Sequence, residues 1–421
     1  MKHHVRYLGW AALASAAVIG SAPVGLALGF RNPDQSARAT GQGEAFVAQA
    51  DDASAIYYNP AGLTQVPGTQ FTSGGLLGFP SWRYSGAGGS AEMNTPYMLP
   101  HLYGASDFGL ERWRFGIGLN IPFGNSAEYS NTSVVRYTTT KSEMIVYNIA
   151  PTVAYQINEN LSVGVALNVY YGTTEINRIA PLGTLLSLPL PDAPFRFDGD
   201  GASVGATLGV LWKINEQHSL GFVYRAPFSI EYEGHAVIKN DLTGSFGRSP
   251  ATAEIEYPQS IAVGYAFRPT PALKLEVDIE WTNWDTLNDV RLRSPNPGFD
   301  YKTNPTSIIP FHWENSFFYE FGAQYNVTTN WVLRTGYIFS ENSVPSKTFS
   351  ATIPDSDRHI FSVGVGFESK KFTVDLVYQY SLSDDRTVTG SPDNSLDGIG
   401  DADGLWKTEA HAVMITTSFR F

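Results

Sequence analysis

Four aspartates crowd one stretch of this 421-residue chain, Asp393, Asp397, Asp401 and Asp403, within Asp393-Asn-Ser-Leu-Asp-Gly-Ile-Gly-Asp-Ala-Asp403. Oxygen ligands at that density suit calcium, but a calcium loop opening at Asp393 needs a bidentate glutamate at its twelfth position, where Gly404 stands. A solvated acidic loop is the plainer expectation, and no metal site is assigned. The eight histidines are scattered, and neither a His-Glu-x-x-His helix nor a Gly-x-x-x-x-Gly-Lys phosphate loop occurs. Cysteine is absent, which removes disulfides, thiolate metal ligands and thiol nucleophiles. No catalytic residues and no cofactor are expected, and the chain does not read as an enzyme.

Apolar chemistry is more prominent. Ile179 to Pro194 holds Leu182, Leu185, Leu186, Leu188 and Leu190 with one charge, Asp192. For a segment between strands this is an unusual composition, and an exposed apolar patch marks an interaction site. These leucines are expected to line a groove that captures a hydrophobic ligand; packing against neighbouring loops would give the same composition. A second group, Lys274, Glu276, Asp278, Glu280, Glu320, Arg334, Asp375 and Arg420, falls on alternating positions and offers carboxylate-binding cations or partners for Arg31, Arg38, Asp51 and Asp52.

The elements that carry these residues alternate with period two. Leu161, Val163, Val165, Leu167, Val169 and Tyr171 share one strand face, and Ser162, Gly164, Ala166, Asn168 and Tyr170 the other. Leu273, Leu275, Val277, Ile279 and Trp281 alternate with Lys274, Glu276, Asp278 and Glu280. Such segments recur from about Gln70 to Phe421, fourteen in all, with short turns and long loops taking turns between them. That asymmetry points to an all-β fold, an antiparallel transmembrane β-barrel of fourteen strands with both ends of its chain on the short-turn, periplasmic side. The third strand is expected at 112–121, followed by a long loop at 122–142, and the ninth at 272–292. Aromatic side chains make up 13% of the chain, enough to furnish two girdles; Trp82, Tyr84, Trp281, Trp284, Phe317 to Tyr319, Tyr378 and Tyr380 are candidates.

Export is written into the amino terminus. Lys2 and Arg6 precede an apolar stretch from Leu8 to Ile19, and small residues lead to Gly25-Leu26-Ala27, so residues 1–27 read as a signal peptide cleaved after Ala27. The whole chain carries a net charge of −12, and losing Lys2 and Arg6 makes it two charges more acidic, which argues against nucleic acid as a partner. At the other end Val413, Ile415, Thr417, Phe419 and the terminal Phe421 share one face. This strand resembles the signal read by the barrel-assembly machinery of a Gram-negative outer membrane. The lipid of that membrane would surround a monomer.

Residues 28–67 do not alternate and are too many for a turn; they read as a small-residue plug, with barrel residues 68–421 behind them. Ala50-Asp-Asp-Ala-Ser-Ala-Ile-Tyr-Tyr-Asn59-Pro60-Ala61-Gly-Leu63, together with Gly29-Phe30 and Gly41-Gln-Gly43, resembles the amino-terminal hatch of the FadL family, outer-membrane channels for long-chain fatty acids and other hydrophobic molecules. The resemblance implies a fourteen-stranded barrel with a helical hatch in its lumen. It further implies capture of a hydrophobic ligand by extracellular loops, passage beside the hatch, and sideways exit where the third strand kinks inward next to Asn59, Pro60 and Ala61. Phe30 would lie close to the ligand. Glycine inside a strand often marks a bend, so Gly116 and Gly118 are the expected site of the kink. Fatty acids are the first expectation for cargo, aromatic or aliphatic hydrocarbons the second. A barrel-borne enzyme or adhesin, or an open sugar porin, are the rivals from other classes.

Overall fold

The computed structural model of the protein describes residues 29–239 and 247–421; the signal segment and the cleavage point after Ala27 lie outside them. Fourteen antiparallel strands close on themselves. They are β1 (Thr69–Gly86), β2 (Tyr97–Ser106), β3 (Trp113–Glu128), β4 (Lys141–Gln156), β5 (Leu161–Ala180), β6 (Ala193–Lys213), β7 (His218–Arg225 and Phe228–Ile238), β8 (Arg248–Tyr257 and Ser260–Thr270), β9 (Leu273–Thr282), β10 (Ser316–Asn326), β11 (Trp331–Ser340), β12 (Arg358–Glu368), β13 (Phe372–Ser383) and β14 (Gly404–Arg420). Closure comes from β1 on β14, in register from Gln70 opposite Arg420 to Ser85 opposite Leu405. The breaks in β7 and β8 fall at Pro227 and Pro258, which lack the amide a ladder needs.

The period-two pattern sorts inside from outside in reverse of a soluble protein. On β9 Leu275, Val277 and Ile279 are exposed, whereas Glu276, Asp278 and Glu280 are 3%, 0% and 3% exposed. β5 repeats this, with Val165, Leu167 and Tyr171 outward and Ala166, Asn168 and Tyr170 buried. A continuous band of exposed aliphatic and aromatic side chains is stable only against lipid. Exposed Trp113, Trp212, Trp331 and Phe372 stand next to the short turns, where a girdle belongs. Trp82, Tyr84 and Trp284, expected in a girdle, are instead buried in a core beneath the long loops.

Three segments differ from the sequence reading. β3 continues to Glu128, seven residues into the expected loop. β9 ends at Thr282; a turn at Trp284–Thr286 and a small sheet of Asp289–Arg291 with Ile308–Pro310 follow it. β5 and β6 extend to Ala180 and from Ala193, leaving a loop of residues 181–192 that contains a short helix, Leu182–Leu186. All three lie at the long-loop end, where strands outlast the membrane and alternation is no longer imposed by lipid on one side.

Inside the ring sits the segment that does not alternate. Every residue from Gly29 to Leu63 is buried except the half-buried Asp51. It contains two single-turn helices, Ala37–Thr40 and Ala55–Tyr58, and a 3-10 helix, Pro60–Gln65.

Candidate functional site

The lumenal face of β9 holds the amino-terminal segment by its backbone. Asp278 accepts from the amides of Phe46 and Val47, both at 2.8 Å, and Glu276 accepts from Ala48 at 2.6 Å and Gln49 at 3.2 Å. Four amides that no regular element satisfies thereby find carboxyl acceptors. Below and above them on the same strand, Lys274 pairs with Asp51 at 2.7 Å and Glu280 with Arg31 at 2.5 Å. Arg38 reaches both Asp51 and Glu368. Burial raises the Asp51 carboxyl, but Arg38 and Lys274 outweigh it and hold the group below its ordinary value. Glu44, which accepts from the Tyr58 hydroxyl, is pushed well above the usual carboxylate range by burial and the nearby Asp34.

Asn59 uses its whole amide. Its Oδ1 accepts from the Ala61 amide at 3.1 Å, capping a helix that starts with Pro60, and its Nδ2 donates to the carbonyls of Val47 and Val210. The loss of a side chain at Gly164 and Gly209 lets Pro60 and Asn59 approach β5 and β6. Asn59, Pro60 and Ala61 therefore dock on β5 and β6, two and three strands along the wall from β3; the residues hydrogen-bonded to the irregular part of β3 are Phe30, Asn32 and Gln35. Asn32 donates to the carbonyls of Ile121 and Pro122, Gln35 to Ile121, and Gly124 donates to Phe30.

That irregularity is a break in the barrel wall. β3 and β4 pair in register from Trp113 to Asn120, slip, and resume at Phe123 opposite Val146, so β3 carries one extra residue at Ile121-Pro122. Against β2, β3 pairs only from Phe115 to Leu119, although β2 is paired to β1 over its whole length. Residues 97–101 of β2 thus face no ladder partner on β3. Beyond the slip β3 is buried on both faces, Asn120 to Ala127, as a strand displaced into the lumen must be. The kink does not fall at Gly116 or Gly118. Both keep regular pairing, to Thr152 and Ala150, and a methyl group at either would collide with Ile56 of the lumenal segment. These glycines make room for Ile56; the bend belongs to Pro122, which lacks an amide.

Two cavities flank this region. The larger, about 130 Å³, lies under the long loops, walled by Phe30, Met144, Phe197, Ile255, Trp313 and Phe349 among others. Its one charged wall residue among the described residues is Arg178, whose Nη2 donates to the Thr306 carbonyl at 2.6 Å while its guanidinium lies 5.1 Å from the centre of the Phe195 ring. No carboxylate among the described residues lies within ion-pair distance of it. The smaller cavity, about 30 Å³, lies beside Asn120 and Pro122. Phe30 faces the first and Phe123 and Phe228 the second; Phe30 and Phe123 touch edge to face, with ring centres 6.2 Å apart.

Of the sequence-picked leucines, Leu182, Leu185, Leu188 and Leu190 stay off the larger cavity's wall. Leu182 is buried in the loop core, Leu185 and Leu190 pack partly against it, and Leu188 is exposed; Leu186 belongs to the short helix. In the acidic loop the carboxylates of Asp393, Asp401 and Asp403 accept from backbone amides of the loop itself. No cluster able to hold a metal occurs among the described residues. Gly201-Ala-Ser203-Val-Gly205 has the spacing of a hydrolase nucleophile elbow but runs through the middle of β6 in unbroken register with β5, without the strand-to-helix turn that exposes such a serine. Sequence reasoning passed over Arg178 and Arg225. The signal for Arg178 is its parity, since it continues the inward series Ser162, Ala166, Asn168 and Tyr170.

Residues 18–421 match the family described as outer membrane protein transport protein (OMPP1/FadL/TodX). A putative outer membrane protein of Neisseria meningitidis serogroup B is 25% identical, the alignment covering 94% of this chain and 95% of that one. The long-chain fatty acid transport protein of Escherichia coli O6:H1 is 22% identical over 91% and 92%. Among solved structures, a FadL homologue of Pseudomonas aeruginosa superposes with a TM-score of 0.84 at 19% identity, covering 93% of this chain and 100% of the other. The toluene transporter TodX of Pseudomonas putida gives 0.72 at 17%, covering 93% and 99%. At such identities the structural likeness speaks for the fold alone.

Proposed function

This chain belongs to the OMPP1/FadL/TodX family and is an outer-membrane transporter of hydrophobic compounds, not an enzyme; from that premise we propose that its cargo is a long-chain fatty acid. The observation that carries the choice is Arg178, a guanidinium without an ion-pair partner among the described residues, set in a largely apolar cavity whose other polar wall residues are uncharged. Burying an unmatched cation is costly, and a carboxylate that completes a bidentate pair offsets that cost. A neutral hydrocarbon gains nothing from it. The aliphatic and aromatic wall around Arg178 takes the acyl chain.

In this reading residues 28–67 are a hatch that fills the barrel, 68–421, and blocks a straight aqueous path. The leucine-bearing loop, with Leu188 at its exposed tip, makes the first contact with ligand. The cargo then moves past Phe30 and leaves through the unpaired stretch between β2 and β3 into the surrounding lipid. No phosphate loop supplies energy, so the flow follows the ligand gradient. The protein works as a monomer delivered by the barrel-assembly machinery. Mass spectrometry of molecules released from the purified protein, with uptake of labelled oleate and labelled toluene into cells that depend on it, tests this. Retained fatty acid and oleate uptake support the assignment; toluene uptake without oleate uptake replaces it with the hydrocarbon reading, which the aromatic wall would also accommodate.

A further inference from the structure

We propose that the smaller cavity is a second, transient binding station for the carboxylate headgroup, occupied as the acyl chain leaves through the break in the wall; this rests on the fatty-acid reading above. Its volume of about 30 Å³ is room for roughly two water molecules, the size of a carboxylate and far less than an acyl chain.

Its charged walls are donors. Arg31 and Arg225 are its charged wall residues among those described, and no acid lines it. The two guanidiniums share one carboxylate at ion-pair distance behind the wall, Glu280, at 2.5 Å and 3.3 Å. Facing them, a row of three amides and a hydroxyl crosses four strands at one level. Asn148 Nδ2 donates to Asn120 Oδ1 and Asn168 Oδ1, and Asn168 Nδ2 donates to Thr207 Oγ1. The row ends on Asn120, which is 2% exposed and whose Nδ2 has no acceptor. A buried amide without an acceptor is expensive unless a ligand supplies one.

Position makes the station useful. Asn120 is the last regularly paired residue before the slip at Ile121-Pro122, so a headgroup held there sits next to the opening while the tail turns into lipid. Phe123, Tyr170 and Phe228 close it toward the larger cavity, with Phe228 stacked on Tyr170 at 3.8 Å. A headgroup released by Arg178 would otherwise have to pass an aromatic layer with no partner for its charge.

The test compares oleate with oleyl alcohol, the same chain without the charge, in cells carrying Asn120→Asp or Arg225→Gln. The first sets a like charge at the station; the second removes a charge and keeps a donor for the Tyr57 carbonyl that Arg225 contacts. The ratio of oleate to oleyl alcohol uptake is expected to fall about tenfold in each, which corresponds to about 1.4 kcal/mol. Heat-modifiable gel mobility reports whether each barrel is folded, and Asn120→Ala, which removes the free donor without adding charge, serves if Asn120→Asp is not. An unchanged ratio in folded variants overturns the station while wild-type oleate uptake still upholds the cargo. Wild type that takes up no oleate overturns both.

Discussion

Arg31 and Glu280, 249 positions apart, meet at 2.5 Å with both side chains almost closed to solvent. The pair ties the start of the lumenal segment to the strand that also binds its middle. Removing one partner of such a buried pair costs about 3–5 kcal/mol, because the other charge stays buried alone. Glu280→Gln is therefore expected to loosen the segment and raise ion conductance in planar bilayers. Arg31→Gln/Glu280→Gln should conduct less than Glu280→Gln, since only Arg225, rather than both guanidiniums, is then left without its carboxylate. A silent Glu280→Gln would show that the lumen is blocked without this pair.

Asn59→Ala removes a helix cap worth about 1 kcal/mol and takes away the side-chain donor of the Val47 carbonyl, at about 1–3 kcal/mol for a buried unpaired group, while Val210 keeps its place in the ladder of β6. The temperature at which the folded band converts on a denaturing gel is expected to drop. Asn59→Asp keeps the cap but not the donors, so its transition should fall between.

The barrel was legible because lipid enforces alternation: with Leu275, Val277 and Ile279 outside, Glu276, Asp278 and Glu280 have nowhere to go but the lumen. The partners of those acids were only half legible. Backbone amides of residues 46–49 carry no side-chain signature, so their bonds to Glu276 and Asp278 leave no mark in the sequence. The break in β3 was misread for a related reason. Gly116 and Gly118 are conspicuous but answer to Ile56, whereas the bend depends on Pro122 together with acceptors offered to Asn32 and Gln35, some ninety positions earlier. The leucine loop shows the limit of composition, which does not tell Leu182 under the loops from Leu188 above them.

That distinction separates stability from capture. Leu182→Ala empties a core position and is expected to cost about 2–5 kcal/mol, seen as earlier unfolding. Leu188→Ser changes an exposed side chain, with a stability effect within about 0.5 kcal/mol, and is expected to slow oleate capture at low concentration. If capture is unaffected, the loop tip is not the first contact.

Arg178→Gln keeps a donor for the Thr306 carbonyl and removes the charge. A hydrogen bond to a charged group is worth about 1.5–3 kcal/mol, so oleate affinity, measured by displacement of a fluorescent fatty acid, is expected to fall about tenfold to a hundredfold. Toluene binding should hold or improve, because a neutral ligand no longer shares its pocket with an unmatched cation. Equal losses for both ligands would point to a collapsed pocket rather than a lost headgroup partner.

Deleting Pro122 addresses the exit without adding bulk. β3 carries one residue more than β4 across the slip, and Asn120 and Phe123 both face inward, so removing one residue between them restores the two-residue period and keeps every later side chain on its present side. The straightened strand is then free to extend its ladder along β2 past Leu102, closing the wall opposite residues 97–101. Oleate binding to the purified deletion variant is expected to persist, since Arg178 lies on β5 and Asn125 is the one wall residue contributed by β3 among the described residues, while uptake into cells falls sharply. Uptake at the wild-type rate, in a variant whose gel mobility shows a folded barrel, would mean that the ligand leaves by another route, and the opening between β2 and β3 would lose its role.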